Sequence, residues 1–294
     1  MRRRALAKGG LTVPVISLGA MNFGSSMAGA PVSEAEARTL VDLALDAGCD
    51  LLDTADVYGR GESEAMLGRL IAGRRSRFLV ATKVLGPMAD GDPGGLRPAR
   101  VAARLDESLR RLRTDRIDLY MPHAPDPATP LDEVLEAMEA ATRAGKIRAW
   151  GLSNFPPDSV RVAARAGLAS GPAFLQVQFS LACRGEERDL ARLHSETGVP
   201  VLASSPLGGG LLTGKYLGAA RPEGRRKNPA GAFPSLDEER LRPELEALAR
   251  RARAAGSSCA RLALAWTLER DWVASAVCGA RTPVQWMELL EAGS

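Results

Sequence analysis

Four side chains that can give or take protons follow apolar runs of this sequence. They are Asp53, which ends DLLD, Tyr58 a few residues later, Lys83, which ends FLVATK, and His123, which follows DLYM. A phenol with a pKa near ~10 is a poor acid at neutral pH, but a nearby ammonium stabilises the phenolate and lowers that pKa. Tyr58 beside Lys83 would therefore be a usable proton donor. Asp53 could supply the negative charge that keeps a lysine protonated at the edge of an apolar core.

Such a group suits a reaction in which a carbonyl oxygen becomes an alkoxide and needs a proton, with His123 as a hydrogen-bond partner for that oxygen. None of the four side chains can supply hydride, so a reduced cofactor has to supply it. Taken singly, each residue also has an ordinary structural explanation. Asp53 could cap a helix, Tyr58 could be a turn aromatic, Lys83 a solvated strand end and His123 a structural histidine. The occurrence of all four residues at predicted strand ends, or just after them, is what indicates a catalytic site.

Short apolar runs alternate with longer stretches of helical period along the whole chain. The predicted strands cover 15–18, 50–53, 78–83, 118–121, 147–152, 173–178, 200–205 and 273–277. The predicted helices cover 33–47, 62–70, 98–112, 131–144, 157–166, 187–197, 243–268 in two pieces, and 283–290. Eight strands, each followed by a helix, predict an α/β fold, the (β/α)₈ TIM barrel, as a single domain over 1–294. A doubly wound open sheet alternates in the same way, but no G-x-G-x-x-G follows the first strand.

Barrels of this kind carry their active sites at the carboxyl ends of the strands, which is where the four residues fall. The opening residues RALAKGGLTVPV predict an N-terminal β-hairpin across the barrel floor. Two long loops, 85–97 and 208–240, interrupt the alternation, and long loops in a compact domain usually cover a site. Arg225, Arg226 and Lys227 in the second loop could clamp a phosphate but equally suit a solvated face, so no role is assigned to them.

The composition indicates a folded, soluble protein with enough apolar residues for a large core. Of 294 residues, 45% are hydrophobic and 25% are charged, and the net charge of +4 is spread along the chain. Neither a nucleic-acid surface nor a membrane surface is therefore predicted. The four cysteines lie far apart without a C-x-x-C pair, which favours reduced cytosolic thiols over a metal site or disulfides. No leader-like segment and no run of about 18 apolar residues occurs, so a cytoplasmic protein is expected, of open oligomeric state.

The sequence resembles the aldo-keto reductase family through nearly its whole length. Asp53, Tyr58, Lys83 and His123 stand at the tetrad positions of the family, within DTADVYG, ATK and HAPD. GLSNF, QVQFSL, SPLGGGLLTGKY and GARTPVQ resemble its cofactor signatures in the same order. YMPHAPDP together with PLGGGLLTGKY is most similar to the aflatoxin-aldehyde reductase branch. The resemblance implies NADPH-dependent reduction of aldehydes or ketones to alcohols, with Tyr58 as the acid.

The resemblance also implies which residues hold NADPH. Ser153, Asn154 and Gln176 would bind the nicotinamide carboxamide, while small residues after the seventh strand would let backbone N–H groups approach the pyrophosphate. Arg281 and Gln285 would hold the adenosine 2′-phosphate at a helix N-terminus, which favours NADPH over NADH. The full implied cofactor set is Gly19, Met21, Asp53, Ser153, Asn154, Gln176, Ser205, Leu207, Gly209, Gly279, Arg281 and Gln285. The expected substrate lining is Met21, Phe23, Tyr58, Met88, His123 and Phe179, and no metal is expected.

Three features depart from the pattern of the family. Ser204 stands where an aromatic ring often stacks on the nicotinamide, and Leu289 stands where an adenine-binding Asn is usual. The sequence ends at EAGS directly after the last predicted helix, without the tail that covers the pocket in many relatives. We therefore expect weaker NADPH contacts, and either an open site or a natural chain that continues beyond Ser294.

Two other functions suit the same residues. Relatives that accompany ion channels keep the fold and the NADPH site while turning over slowly, so an NADPH-binding regulatory or redox-sensing subunit is the alternative. A non-redox barrel would use Lys83 as a Schiff-base amine, and the adjoining Tyr58 and Asp53 argue against that chemistry. The sequence does not indicate which small-molecule carbonyl is the substrate.

Overall fold

The computed structural model describes residues 1–24, 30–218 and 236–293, and the cluster Arg225, Arg226 and Lys227 lies outside these ranges. A two-stranded hairpin of β1 (Arg3–Ala5) and β2 (Thr12–Pro14) precedes the barrel strands β3 (Ile16–Gly19), β4 (Leu51–Asp53), β5 (Leu79–Val84), β6 (Ile117–Pro122), β7 (Ile147–Ser153), β8 (Pro172–Gln178), β9 (Val201–Ser204) and β10 (Val273–Cys278). The eight are parallel and close in the order β10-β3-β4-β5-β6-β7-β8-β9. The predicted barrel is confirmed.

Nine helices of the described residues surround the barrel: α1 (Glu34–Asp46), α2 (Glu62–Leu70), α3 (Pro98–Leu112), α4 (Leu131–Arg143), α5 (Pro157–Arg165), α6 (Glu187–Thr197), α7 (Glu238–Ala254), α8 (Cys259–Leu268) and α9 (Pro283–Leu290). Ser33 and Glu36 form the expected capping box before α1, which satisfies two backbone N–H groups at that helix end. No helix in these ranges is long and apolar enough to cross a membrane.

The prediction that a helix starts at Pro243 is wrong. That helix is α7, which begins at Glu238 and has Pro243 as its sixth residue. Asp237 caps it by accepting a hydrogen bond from the N–H of Arg240 at 3.0 Å. A proline there removes one helical hydrogen bond, and the side-chain cap and two glutamates in the first turn favour the earlier start.

The N-terminal hairpin closes the floor of the barrel. Leu6, Leu11 and Val13 belong to one buried cluster with inward-facing residues of the strands, among them Leu51 and Leu119. The guanidinium of Arg4 donates to carbonyl groups around the end of α8, including that of Leu268 at 2.7 Å. This small apolar cluster, distinct from the larger one between strands and helices, makes the floor a packed plug.

Strand alternation decides what reaches the mouth of the barrel. Along β5, Leu79 and Ala81 belong to the inner cluster, whereas Val80 and Val84 belong to the outer one. Because successive side chains of a strand point to opposite faces, the next inward position is Lys83. The side chain of Lys83 therefore points inward, two residues beyond Ala81, and enters the mouth of the barrel above the apolar interior.

Gly68 permits the close approach of α2 and α3. A Cβ atom at this position would lie 2.4 Å from the backbone carbonyl oxygen of Arg111, so any side chain pushes the two helices apart. We expect Gly68→Ala to lower the free energy of unfolding by about 2 kcal/mol, the cost of overpacking a close-packed contact. Urea denaturation measures this loss. Gly185→Ala is the matched control, because a Cβ at Gly185 meets no atom within 4 Å, and an equal loss in both variants would contradict the packing argument.

Candidate active site

The loop after β4 continues the pairing of that strand with β5. The N–H of Thr54 donates to the carbonyl of Ala81 at 2.9 Å, and the N–H of Asp56 donates to that of Lys83 at 3.1 Å. Tyr58 then starts a short 3₁₀ turn, Tyr58–Gly61, whose last three residues all have positive φ. This reversal turns the chain back over the barrel and leaves the phenol of Tyr58 beside Lys83.

The ammonium of Lys83 is the centre of the site. It is buried and donates to Oδ1 of Asp53 at 2.6 Å and to the carbonyl oxygen of Thr54 at 2.8 Å. It also lies 5.3 Å from the centre of the Tyr58 ring. Burial acts to lower the pKa of Lys83, but the charge of Asp53 and the hydrogen bonds to Asp53 and Tyr58 outweigh it, and the pKa is raised above its usual value.

A lysine with a raised pKa stays protonated at neutral pH. Schiff-base formation needs a neutral amine with a free lone pair. The three partners of Lys83 hold it in the opposite state, so the geometry disfavours the Schiff-base alternative and supports a purely electrostatic role for this residue.

The second oxygen of Asp53 is bound from across the barrel. Nε2 of Gln176 donates to Oδ2 of Asp53 at 2.8 Å, and both side chains are buried. The strands β4 and β8 that carry them lie four positions apart in the closed order of eight, so this hydrogen bond spans the mouth. The amide oxygen of Gln176 has no hydrogen-bond partner among the residues that the structure describes.

His123 completes the group from the end of β6. Its ring centre lies 5.7 Å from that of Tyr58, at an interplanar angle of 75°. The backbone N–H of His123 donates to the backbone carbonyl of Val84 at 2.8 Å. Burial, together with the positive charge of Lys83, lowers the pKa of His123 to about 3. The imidazole is therefore neutral at pH 7 and can donate one N–H to an oxygen in the cleft. The structure thus brings all four predicted residues together.

Two further predicted residues lie next to His123 at the end of β7. Nδ2 of Asn154 donates to the carbonyl oxygen of His123 at 2.8 Å and to Oγ of Ser153 at 3.1 Å. Asn154 has a φ of 55°, a conformation that asparagine tolerates better than most residues. Asn154 is exposed while Ser153 is buried, so the amide of Asn154 lies at the surface beside His123.

A tight glycine turn follows β9. Gly208, Gly209 and Gly210 have φ values of 58°, 66° and 96°, and Ser205 before them has 50°. Leu207 is half-buried and precedes the turn. Successive residues with positive φ expose backbone N–H groups and form a concavity that suits an anion.

Lys215 is a site residue that the sequence analysis missed. A Cβ atom on Gly210 would lie 3.4 Å from Nζ of Lys215, so this ammonium sits directly over the glycine turn. Burial and the neighbouring charge of Arg281 lower its pKa. Within 1–24, 30–218 and 236–293, neither cation has a carboxylate partner. The motif SPLGGGLLTGKY contained the signal, but the sequence argument used only its glycines.

The rest of the predicted cofactor set lies around the same mouth. Gly19 ends β3 opposite Asp53 in the β3–β4 register, and Gly279 follows β10 on the surface. Oε1 of Gln285 accepts from the N–H of Arg281 at 3.0 Å. Thr282 caps α9, so Arg281 stands at a helix N-terminus as expected.

Among the residues expected to line a substrate, Met21 and Met88 are half-buried. Phe23 and Phe179 have 0% and 1% of their surface accessible. Phe179 packs against Trp266 and Trp272 at ring distances of 5.4 and 4.7 Å. Because other side chains enclose both rings, the substrate lining proposed below does not include the two phenylalanines.

Ser204 and Leu289, the two residues that depart from the family pattern, have different surroundings. Ser204 ends β9, is half-buried and accepts a hydrogen bond on its backbone oxygen from the N–H of Phe179 at 3.3 Å. Leu289 is buried in the outer apolar cluster, so it serves packing rather than the recognition of a base.

Comparisons with known proteins agree over nearly the whole chain. A sequence model of the Aldo/keto reductase family matches residues 15–294. "Uncharacterized oxidoreductase YrpG" of Bacillus subtilis is 34% identical, covering 98% of this chain and 89% of that protein. "Protein tas" of Escherichia coli is 33% identical, covering 96% and 90%. The solved structure of the holo form of aldo-keto reductase AKR11C1 from Bacillus halodurans superimposes with a TM-score of 0.80, at 30% identity, covering 99% of this chain and 90% of that one.

The depressed pKa of His123 has a measurable consequence. The unfolded chain protonates this imidazole below its ordinary pKa of 6.5, whereas the folded chain resists protonation down to about 3. Stability is therefore lost as the pH falls from about 6.5 towards 3. We expect the NMR resonances of the His123 ring to stay those of a neutral imidazole between pH 8 and about 4. His123→Gln assigns the signals, because the chain has two histidines, and titration near pH 6.5 would contradict the burial argument.

Proposed function

Because this chain belongs to the aldo/keto reductase family, we propose that it reduces aldehydes or ketones to alcohols with NADPH. The observation that carries the proposal is the buried ammonium of Lys83 held between Asp53 and Tyr58. A fixed positive charge beside a phenol favours the phenolate that forms when the proton leaves. Tyr58 is then suited to protonate an oxygen that gains negative charge.

The residues present fit a phosphorylated dinucleotide. The glycine turn with its positive φ values offers a concavity for the pyrophosphate, and Lys215 with Arg281 offers two cations of like charge close together. Two cations that repel each other are stabilised when a polyanion lies between them. Ser153, Asn154 and the free oxygen of Gln176 would hold the carboxamide. When bound, NADPH supplies the hydride, which none of this chain's own residues can supply.

Each residue of the tetrad then has one task. Tyr58 donates the proton to the carbonyl oxygen of the substrate. Lys83 stabilises the phenolate that remains, and Asp53 holds Lys83 in place and balances its charge. The neutral imidazole of His123 donates a hydrogen bond to the same oxygen, which positions the carbonyl between imidazole and phenol.

The proposed substrate lining consists of Met21, Tyr58, Met88 and His123. Two methionines make this lining apolar and adaptable in shape, which suits a carbonyl compound with some hydrophobic bulk. The similarity to the aflatoxin-aldehyde reductase branch and the cytoplasmic location stay predictions, as does the treatment of residues 1–294 as one domain.

Arg281 tests the choice between the two nicotinamide cofactors. We expect Arg281→Ala to raise the KM for NADPH by about tenfold or more, the effect of losing one charge-assisted hydrogen bond. The KM for NADH should hardly change, because NADH lacks the 2′-phosphate. Steady-state kinetics with both cofactors measures the two values, and an equal rise for NADPH and NADH would contradict the assignment.

Tyr58→Phe tests the proposed acid. Removing a general acid costs about 10²- to 10⁴-fold in rate, so kcat should fall by that factor while NADPH still binds. The assay follows the loss of reduced-nicotinamide absorbance with a panel of aromatic and short dicarbonyl aldehydes, and quenching of protein fluorescence reports NADPH binding. If the wild-type protein binds NADPH and reduces none of them, the proposal of a regulatory or redox-sensing subunit replaces that of a reductase.

A further inference from the structure

Asp56 lies on the loop that carries the proposed acid, yet its side chain points away from the cleft. It stands between Asp53 and Tyr58 in sequence and has no accessible surface. Its Oδ2 accepts hydrogen bonds from Nε and Nη2 of Arg104 in α3, at 3.2 and 3.0 Å. The carboxylate is therefore directed into the layer between barrel and helices, and none of the tasks described above uses it.

The backbone of Asp56 is bound to the strand that carries the ammonium. Its N–H donates to the carbonyl of Lys83 at 3.1 Å, and the N–H of Tyr58, two residues on, donates to that of Ala55 at 3.2 Å. Asp56 thus joins β5, α3 and the start of the Tyr58 turn. If its side chain shifts relative to α3, the backbone leading into Tyr58 shifts with it.

The pair belongs to a buried network of charges between the barrel wall and helices α2 and α3. Glu64 accepts from Oγ1 of Thr82 at 2.5 Å and from Nε of Arg111 at 2.6 Å. Glu107 lies 2.6 Å from Arg104 and 3.5 Å from Arg111. Apolar residues of the same volume often stabilise a core as well as buried ion pairs do. A gain in stability alone therefore explains this network of charges poorly. What the network does supply is a fixed geometry of the groups that it connects.

Asp56 changes its charge close to neutral pH. Burial raises the pKa of Asp56 to about 6; the nearby Glu64 acts in the same direction, and Arg104 and Arg111 oppose it. Tyr120 of β6 faces the same two carboxylates, and burial together with their charges raises its pKa, so this phenol stays neutral.

We propose that Asp56, held by Arg104, is a positioning residue that keeps the hydroxyl of Tyr58 in line with the ammonium of Lys83 and the substrate carbonyl. The inference rests on the proposed function. A reacting group displaced by about 1 Å loses up to about 100-fold in rate. The ion pair of Arg104 with Asp56 connects helix α3 to a residue only two positions before Tyr58. Protonation of Asp56 removes the negative charge that binds the guanidinium of Arg104, which weakens this ion pair.

Asp56→Asn tests the role with a side chain of the same shape and no charge. We expect kcat to fall about 10- to 100-fold while the Kd for NADPH is unchanged. In the wild-type protein kcat should decline as the pH falls below about 6, because Asp56 is then neutral. The variant should lack this decline, since asparagine does not titrate. Arg104→Gln breaks the pair from the helix side and should reproduce the fall in kcat. Asp56 still titrates in that variant, and its pKa should rise because Arg104 no longer opposes the effect of burial.

Asp118→Asn is the matched control. Asp118 is also buried and paired with two arginines, Arg75 at 2.7 Å and Arg148 at 2.9 Å, but it lies near the start of β6, at the floor end of the barrel. The Asp118→Asn substitution should lower the melting temperature without changing kcat or the dependence of kcat on pH. A wild-type kcat and pH profile in Asp56→Asn would overturn the proposal, as would an equal loss of kcat in Asp118→Asn.

A crystal structure of Asp56→Asn gives a readout that needs no turnover. We expect the hydroxyl of Tyr58 to move away from Nζ of Lys83 by about 1 Å. An unchanged Tyr58 overturns the positioning role. If the wild-type protein reduces no carbonyl, the proposed function fails, and the position of Tyr58 in the variant still decides whether Asp56 sets it.

Discussion

A charged ammonium enclosed by protein at the mouth of the barrel is the constraint on which the rest of this structure depends. Removing an ion from water costs several kcal/mol, and only well-placed partners offset that cost. Lys83 meets this requirement with the carboxylate of Asp53 and the carbonyl of Thr54. Both partners come from the adjacent strand and its loop, so the pairing of β4 with β5 and the burial of the charge stabilise each other.

The partners of Lys83 are themselves held by further residues. Asp53 needs a second donor and receives it from Gln176 on the opposite wall of the barrel. The loop that follows Asp53 must stay close to β5, and Asp56 binds that loop to α3. The charge of Lys83 also helps to keep His123 neutral. One buried cation therefore influences the protonation state or the position of residues on, or directly after, three other strands, β4, β6 and β8.

The sequence analysis predicted the eight strands, the hairpin and the tetrad because these depend on alternation and chain order. Strand ends in a parallel barrel meet at one rim whatever their side chains do. The enclosure of Phe23 and Phe179 escaped it, because both lie just beyond strand ends where the alternation of faces stops. The Asp56–Arg104 pair escaped it too, since the two residues are 48 positions apart and no local pattern links a loop carboxylate to a helix guanidinium. The sequence shows that a cationic side chain, Lys215, follows the glycine run, but not that its ammonium folds back over Gly210.

In the part of the chain that the structure describes, Leu6, Leu11 and Val13 pack the floor of the barrel with apolar side chains. After a phenol has given its proton to a product, the phenolate has to take a new one from bulk water. An apolar floor disfavours the passage of a charge, so the mouth of the barrel is the favoured route for that proton. In a reductase built this way, the route by which the acid is recharged is therefore the route by which the alcohol departs. Return of the proton and release of the product then share one opening.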